Sequence, residues 1–148
     1  MLKLKTINRS LGFLLSLVFN RIIILMKTLR ILIVDDIFTN RLLLSELIKT
    51  LGHQSVQAEN GKQAVDFFEN ESFDLILMDI EMPVMNGLET TDLIRKTFPS
   101  PKNAVPIIAL TAHNPTLFFE DYSDAGFDEL ITKPYSLDKI VELINNLV

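Results

Sequence analysis

Four short apolar runs in this chain each close on chemically active side chains, and that arrangement restricts the fold more than any other feature. Ile31-Leu32-Ile33-Val34 runs into Asp35-Asp36, and Leu75-Ile76-Leu77-Met78 runs into Asp79. Val105 to Leu110 ends in Thr111, and a further run is closed by Lys133-Pro134. Each run is too short for a stable helix and lacks polar alternation, so it reads as a strand buried on both faces of a parallel sheet. In such sheets ligands gather beyond the carboxyl ends of the strands. The pattern therefore predicts three carboxylates, a hydroxyl and an ammonium along one edge.

A chain of 148 residues is long enough for one domain with a sizeable core. It has no cysteine, which excludes disulfides, zinc–thiolate sites and cysteine nucleophiles. His53 and His113 are too few and too far apart in sequence for a histidine metal site. Charge is unevenly spread. Residues 1–26 hold Lys3, Lys5, Arg9 and Arg21 and no acid, so the rest has ten bases against nineteen acids, a net of −9. An acidic body without a basic stripe argues against nucleic-acid binding.

The first 26 residues stand apart. Basic residues precede the apolar stretch Leu11 to Phe19, as in a signal peptide, but no small-x-small cleavage site follows and Arg21 falls where cleavage should occur. The stretch is short of the roughly 20 apolar residues that span a bilayer, which leaves a membrane-surface helix as the one membrane role open to it. Met26-Lys27-Thr28-Leu29-Arg30 leads directly into the first strand, so the composition shift points to residues 1–26 as a non-native start, or one dispensable to the fold, ahead of a domain over 27–148.

From Leu29 strands and helices alternate. Strands are expected at Leu29–Val34, Ser55–Ala58, Asp74–Met78, Ile107–Leu110 and Glu129–Thr132. Helices are expected at about Thr39–Leu51, after Asn60-Gly61, at Leu88–Thr97, at about Thr116–Ala125 and after the N-cap Ser136. Leu43, Leu44, Leu47, Ile48 and Leu51 form the expected inner face of the first helix. Gly52 and Gly126 stop their helices. Five strand–helix units with right-handed crossovers make an α/β sheet covered on both faces.

The blocks Ile33-Val34-Asp35-Asp36, Leu77-Met78-Asp79, Met82-Pro83-Val84-Met85-Asn86-Gly87, Ala109-Leu110-Thr111-Ala112 and Lys133-Pro134 resemble, in order and spacing, the receiver domain of bacterial response regulators. The resemblance covers residues 29–148. It implies a flavodoxin-like (βα)5 fold with strand order 2-1-3-4-5, acting in the cytoplasm. It also implies a function: acceptance of a phosphoryl group on an aspartate from a sensor histidine kinase or histidine phosphotransfer protein, with Mg²⁺ as cofactor.

Carried onto this sequence, the resemblance makes Asp79 the phosphoacceptor. Asp36 and Asp79 would bind Mg²⁺ directly, Asp35 through a water, and Glu81 through its backbone carbonyl. Few protein ligands and several retained waters suit Mg²⁺. Lys133 would pair with Asp79 at rest and with a phosphoryl oxygen afterwards. A cis bond before Pro134 would aim that lysine inward. Thr111 would hydrogen-bond the phosphoryl group, and the small Ala112 would leave it room. Glu81 and His113 are candidates for tuning phosphoryl lifetime. His53 is expected at the surface, and Asn86-Gly87 is read as turn chemistry.

One departure concerns readout. The aromatic switch residue of many receivers sits three positions before the lysine, where this chain has Leu130, so the usual coupling to Thr111 is missing. Tyr135, Tyr122 and Phe119 are the aromatics that could replace it, and Leu117, Phe119 and Leu130 are candidates for the output surface. Ile37 is less polar than usual beside the acid pair and is a candidate for kinase docking. Three functional classes follow: a single-domain regulator binding an unidentified protein target, a relay intermediate passing phosphate to a histidine, and a phosphate-independent interaction module. An aspartyl-phosphate phosphatase is a more distant enzyme alternative, since Glu81 lies two residues past Asp79. A monomer or weak homodimer is expected.

Overall fold

The computed structural model describes residues 11–18, 27–112 and 124–146. Residues 11–18 are helical with every side chain exposed, Leu11 and Phe13 among them. The five strands are β1 (Arg30–Val34), β2 (Gln54–Ala58), β3 (Leu75–Asp79), β4 (Ile107–Thr111) and β5 (Glu129–Thr132). They form one sheet in the order β2-β1-β3-β4-β5, and every pairing is parallel. Four described helices alternate with them: α1 (Phe38–Thr50), α2 (Gly61–Asn70), α3 (Gly87–Thr97) and α4 (Leu137–Asn146). The helix expected at 116–125, with His113, Leu117, Phe119 and Tyr122, lies largely or wholly outside the described residues. A 3-10 turn, Lys102–Ala104, interrupts the loop expected before β4.

Strand alternation sends successive side chains to opposite faces. Ile31, Ile33, Leu75, Leu77, Ile108, Leu110 and Ile131 pack with Leu44 and Ile48 of α1 and Ile140 and Ile144 of α4. Leu32, Val34, Ile76, Met78 and Ile107 face the other way, onto Ala64 and Phe68 of α2 and Ile94 of α3. Both faces are thus sealed, which is why these runs carry no polar residue.

The α1 face matches the expected one at four of its five positions: Leu44 and Ile48 are buried, and Leu47 and Leu51 pack against the same core. Leu43 is 48% exposed, and the buried positions are Arg41, Leu44 and Ile48. Leu43 alone of the expected face turns outward, and Arg41 is buried beside the apolar residues, a contact that hydrophobic spacing does not show. β3 is shifted by one residue from its expected bounds, so Asp79 is the last residue of the strand rather than the first of a loop.

Turn chemistry follows the sequence. Gly52 (φ 82°) and Gly126 (φ 90°) take left-handed backbone. Asn60 caps α2 by accepting from Gln63 N–H. Asn86 and Glu89 form a reciprocal capping box at the start of α3. Ser136 Oγ accepts from Lys139 N–H at the start of α4.

Candidate functional site

Because all five strands are parallel, the residues that follow them meet at one edge. Asp35 and Asp36 follow β1, Asp79 ends β3, Thr111 ends β4 and Lys133 follows β5. One oxygen from each of Asp35, Asp36 and Asp79 lies within 4.8 Å of the others. Lys133 Nζ bridges two of these carboxylates, 3.1 Å from Asp79 Oδ1 and 3.2 Å from Asp35 Oδ2. The Lys133–Pro134 peptide is cis.

Asp35 is fully buried and firmly held. Its Oδ1 accepts from Ile37 N–H at 2.8 Å, and Asn40 Nδ2 donates to both carboxylate oxygens at 3.2 and 3.1 Å. Asp79 is 4% exposed, and burial pushes its carboxyl above the usual range. The Lys133 ammonium opposes that rise, and the neighbouring Asp35 and Asp36 charges add to it. Burial also works against the charged form of Lys133, but its two carboxylate partners outweigh burial and raise its pKa. Tyr135, half-buried next to Pro134, is pushed up by burial and by the Asp35 charge.

Three carboxylates face one ammonium, which leaves two negative charges over at this edge. An all-oxygen donor set with a partly open side fits a hard divalent cation. Asp36, the exposed member, keeps its side of the cluster open to solvent.

The remaining sequence-predicted residues fall around this edge in different ways. Thr111 is buried at 1% exposure, and its carbonyl accepts from Lys133 N–H at 2.6 Å, tying β4 to the lysine. Ala112 and Glu81 are exposed on the adjoining loops. Leu130 is 9% exposed and packs with Ile80 and Ala109 on one side of β5. Tyr135 packs instead against the α1–α4 core cluster. His113 lies outside the described residues. His53 corrects the surface expectation: it is partly buried, and its Nδ1 accepts from Leu29 N–H at 3.3 Å.

Sequence reasoning missed two neighbours of the acids and one tight turn in the loop after β3. Asn40 and Arg41, polar residues in a helix, gave no signal of facing the site. Val84 follows Pro83 with φ 72°, and Met85 N–H donates to the Pro83 carbonyl at 2.9 Å, a three-residue turn centred on a β-branched residue.

Comparison with known proteins gives the family. The sequence profile of the response regulator receiver domain matches residues 31–145. The chain belongs to that family, the phosphoryl-accepting domains of two-component signalling. It is 37% identical over 117 residues to the sensor protein GacS of Pseudomonas syringae pv. syringae, covering 78% of this chain and 13% of that protein. It is 36% identical over 124 residues to hybrid signal transduction histidine kinase I of Dictyostelium discoideum, covering 80% of this chain and 7% of that one. The chain thus spans only a small part of these relatives.

Solved structures agree in fold. The receiver domain of a Pseudomonas aeruginosa PAO1 sensor histidine kinase, described with a magnesium ion coordinated in its active-site cleft, superposes with a TM-score of 0.73 at 30% identity. That match covers 82% of this chain and 98% of the other. The response regulator TrrA of Thermotoga maritima, in complex with Mg²⁺-BeF, gives a TM-score of 0.72 at 36% identity, covering 82% and 100%.

Proposed function

We propose that this domain accepts a phosphoryl group on Asp79 from a phosphohistidine, in a reaction supported by Mg²⁺ held at Asp36 and Asp79, with Asp35 acting through a water. The observation that carries the reading is the Lys133 ammonium placed between Asp35 and Asp79 beside a third carboxylate. An Asp79 oxygen attacks phosphorus, the phosphorus–nitrogen bond breaks, and the released imidazole takes up a proton as the acyl phosphate forms. A carboxylate nucleophile needs little covalent help in such a transfer; it needs position and charge neutralisation. When bound, Mg²⁺ supplies neutralisation of the phosphoryl oxygens. Lys133 exchanges its Asp79 contact for a phosphoryl oxygen, Thr111 donates its hydroxyl to another, and Ala112 leaves that approach open. The Glu81 backbone carbonyl would complete the protein ligands of a bound cation.

The domain catalyses only its own phosphorylation and dephosphorylation. Its partners are a sensor histidine kinase or phosphotransfer protein and a downstream protein target, met in the cytoplasm as a monomer or weak homodimer, with residues 27–148 as the working unit. Incubation with acetyl phosphate and Mg²⁺ tests this: wild type becomes phosphorylated and Asp79→Asn does not. Labelling of Asp79→Asn at the wild-type rate would sink the assignment. Glu81 and His113 set the acyl phosphate lifetime by contacting or excluding the water that hydrolyses it, and unchanged decay in both Glu81→Asn and His113→Ala would refute that.

A relay role is the second reading, favoured by Leu130. A domain that hands its phosphoryl group to another histidine needs no aromatic switch, and Leu130 is packed in a small apolar cluster. Onward transfer to an added histidine phosphotransfer protein separates the relay from the regulator.

A further inference from the structure

We propose that Arg41 is a positioning residue for the divalent cation: it fixes the Asp35–Asp36 peptide and so presents the Asp36 carboxylate. The inference rests on the reading of the acid edge as a cation site. Arg41 is 6% exposed, buried beneath that edge. Its Nη1 donates to the Asp35 carbonyl at 2.7 Å, and its Nη2 lies 3.6 Å from Glu59 Oε1. Its guanidinium carbon is 5.7 Å from the centre of the Phe38 ring.

These contacts complete a division of labour around Asp35. Its N–H donates to the Ala58 carbonyl at 3.2 Å, its carboxylate is held by Ile37 N–H and Asn40, and its carbonyl is held by Arg41. Asp36 is different. It is exposed, and among the described residues no hydrogen bond or ion pair reaches its carboxylate. What orients Asp36 is therefore its backbone, and the peptide that begins it is the one whose oxygen Arg41 grips.

The choice of contact matters as much as its strength. A guanidinium on the carboxylates themselves would neutralise the charge that a cation needs. Arg41 spends its donors on a carbonyl and on Glu59, which lies outside the acid cluster, and this leaves Lys133 as the one cation bridging the acids among the described residues. A lysine could not reproduce this, because the guanidinium lies over the Phe38 ring while its Nη1 bonds the Asp35 carbonyl and its Nη2 faces Glu59.

The test uses the full chain and Mg²⁺ alone, titrated by calorimetry, with amide spectra of the metal-free protein. Removing a group that holds a metal ligand in place weakens affinity by about tenfold or more. Arg41→Met is expected to raise the Mg²⁺ Kd about tenfold, and Arg41→Lys by a smaller factor. Both should move the Asp36 amide resonance before any metal is added while the β3 and β4 resonances stay in place. In an Asp36→Asn background Arg41→Met should cost nothing further, since its effect runs through Asp36. Should Arg41→Met fail to fold, Arg41→Lys and Glu59→Gln carry the same comparison. An unchanged Kd in Arg41→Lys with a moved amide, or the same loss in the Asp36→Asn background, would overturn the proposal. A wild type that binds no Mg²⁺ would overturn the site reading, and this with it.

Discussion

Gly87, the first residue of α3, is packed directly onto the backbone of Asp79. A Cβ at Gly87 would press into the Asp79 carbonyl oxygen and lie 2.9 Å from Ile80 Cα. Gly87 N–H also donates to the Ile80 carbonyl at 2.9 Å. The helix and the proposed phosphoacceptor are thus set by one backbone contact. Neither neighbour is a flexible side chain that could swing aside. Gly87→Ala is expected to cost about 1–3 kcal/mol of stability by overpacking, measured by urea denaturation, and to slow labelling of Asp79 by acetyl phosphate. A variant with wild-type stability and rate would show that the loop yields freely.

Lys133 is the bridge between two buried acids. Lys133→Met leaves Asp35 and Asp79 facing each other without it, and breaking a buried pair in this way costs about 3 kcal/mol. Because the loss is one of charge balance, added Mg²⁺ should recover part of it by binding the folded state. Urea midpoints with and without Mg²⁺ check this: a larger Mg²⁺-induced rise in the variant than in wild type is expected.

Asp79 sets a pH signature. Its carboxyl is raised above 3.8 on folding, chiefly by burial, so the folded state holds that proton more tightly than the unfolded chain. Its ionisation therefore costs stability as pH climbs from 3.8 through the raised folded value, and the cost is complete above that value. Asp79→Asn removes it. The variant should melt higher than wild type at pH 7, by a margin that shrinks on acidification toward pH 3.8. Lys133 works in the opposite sense: its raised pKa gives stability that is full below 10.5 and lost as pH rises through the folded value. Asp79→Asn forfeits part of that gain, but Asp35 keeps its own contact with the ammonium. Thermal melts of both proteins at pH 4 and pH 7 decide the matter, and a less stable variant at pH 7 would contradict it.

Val84 holds a backbone angle that β-branched residues rarely adopt. It is 78% exposed, so little packing is lost on truncation. Such strain costs of order 1–3 kcal/mol, against roughly 0.5–1 for the entropy of a glycine. Val84→Gly is therefore expected to stabilise the domain by about 1 kcal/mol, read from the same urea curves.

The sheet was legible because its runs are buried on both sides. Ile31 to Val34 and Leu75 to Met78 have no polar face to confuse with a helix, and the acids mark their carboxyl ends. The side chains that support those acids were not legible. Asn40 and Arg41 look like the solvated face of a helix, and only the packing of α1 shows them turned toward Asp35. His53 likewise depends on Leu29 N–H, a partner 24 residues away. Strand residues announce themselves by local burial, whereas these contacts form between distant segments that carry no periodic signature.

The opposite end of β1 is anchored by charge. Lys27 Nζ is 2.8 Å from Asp74 Oδ1, and Arg30 pairs with Glu71, so the chain is staked at the amino edge of the sheet. Five residues of strand, about 17 Å at strand spacing, separate that anchorage from the acids. The two ion pairs therefore tie the start of β1 to the segment that leads into β3, at the pole opposite the acids.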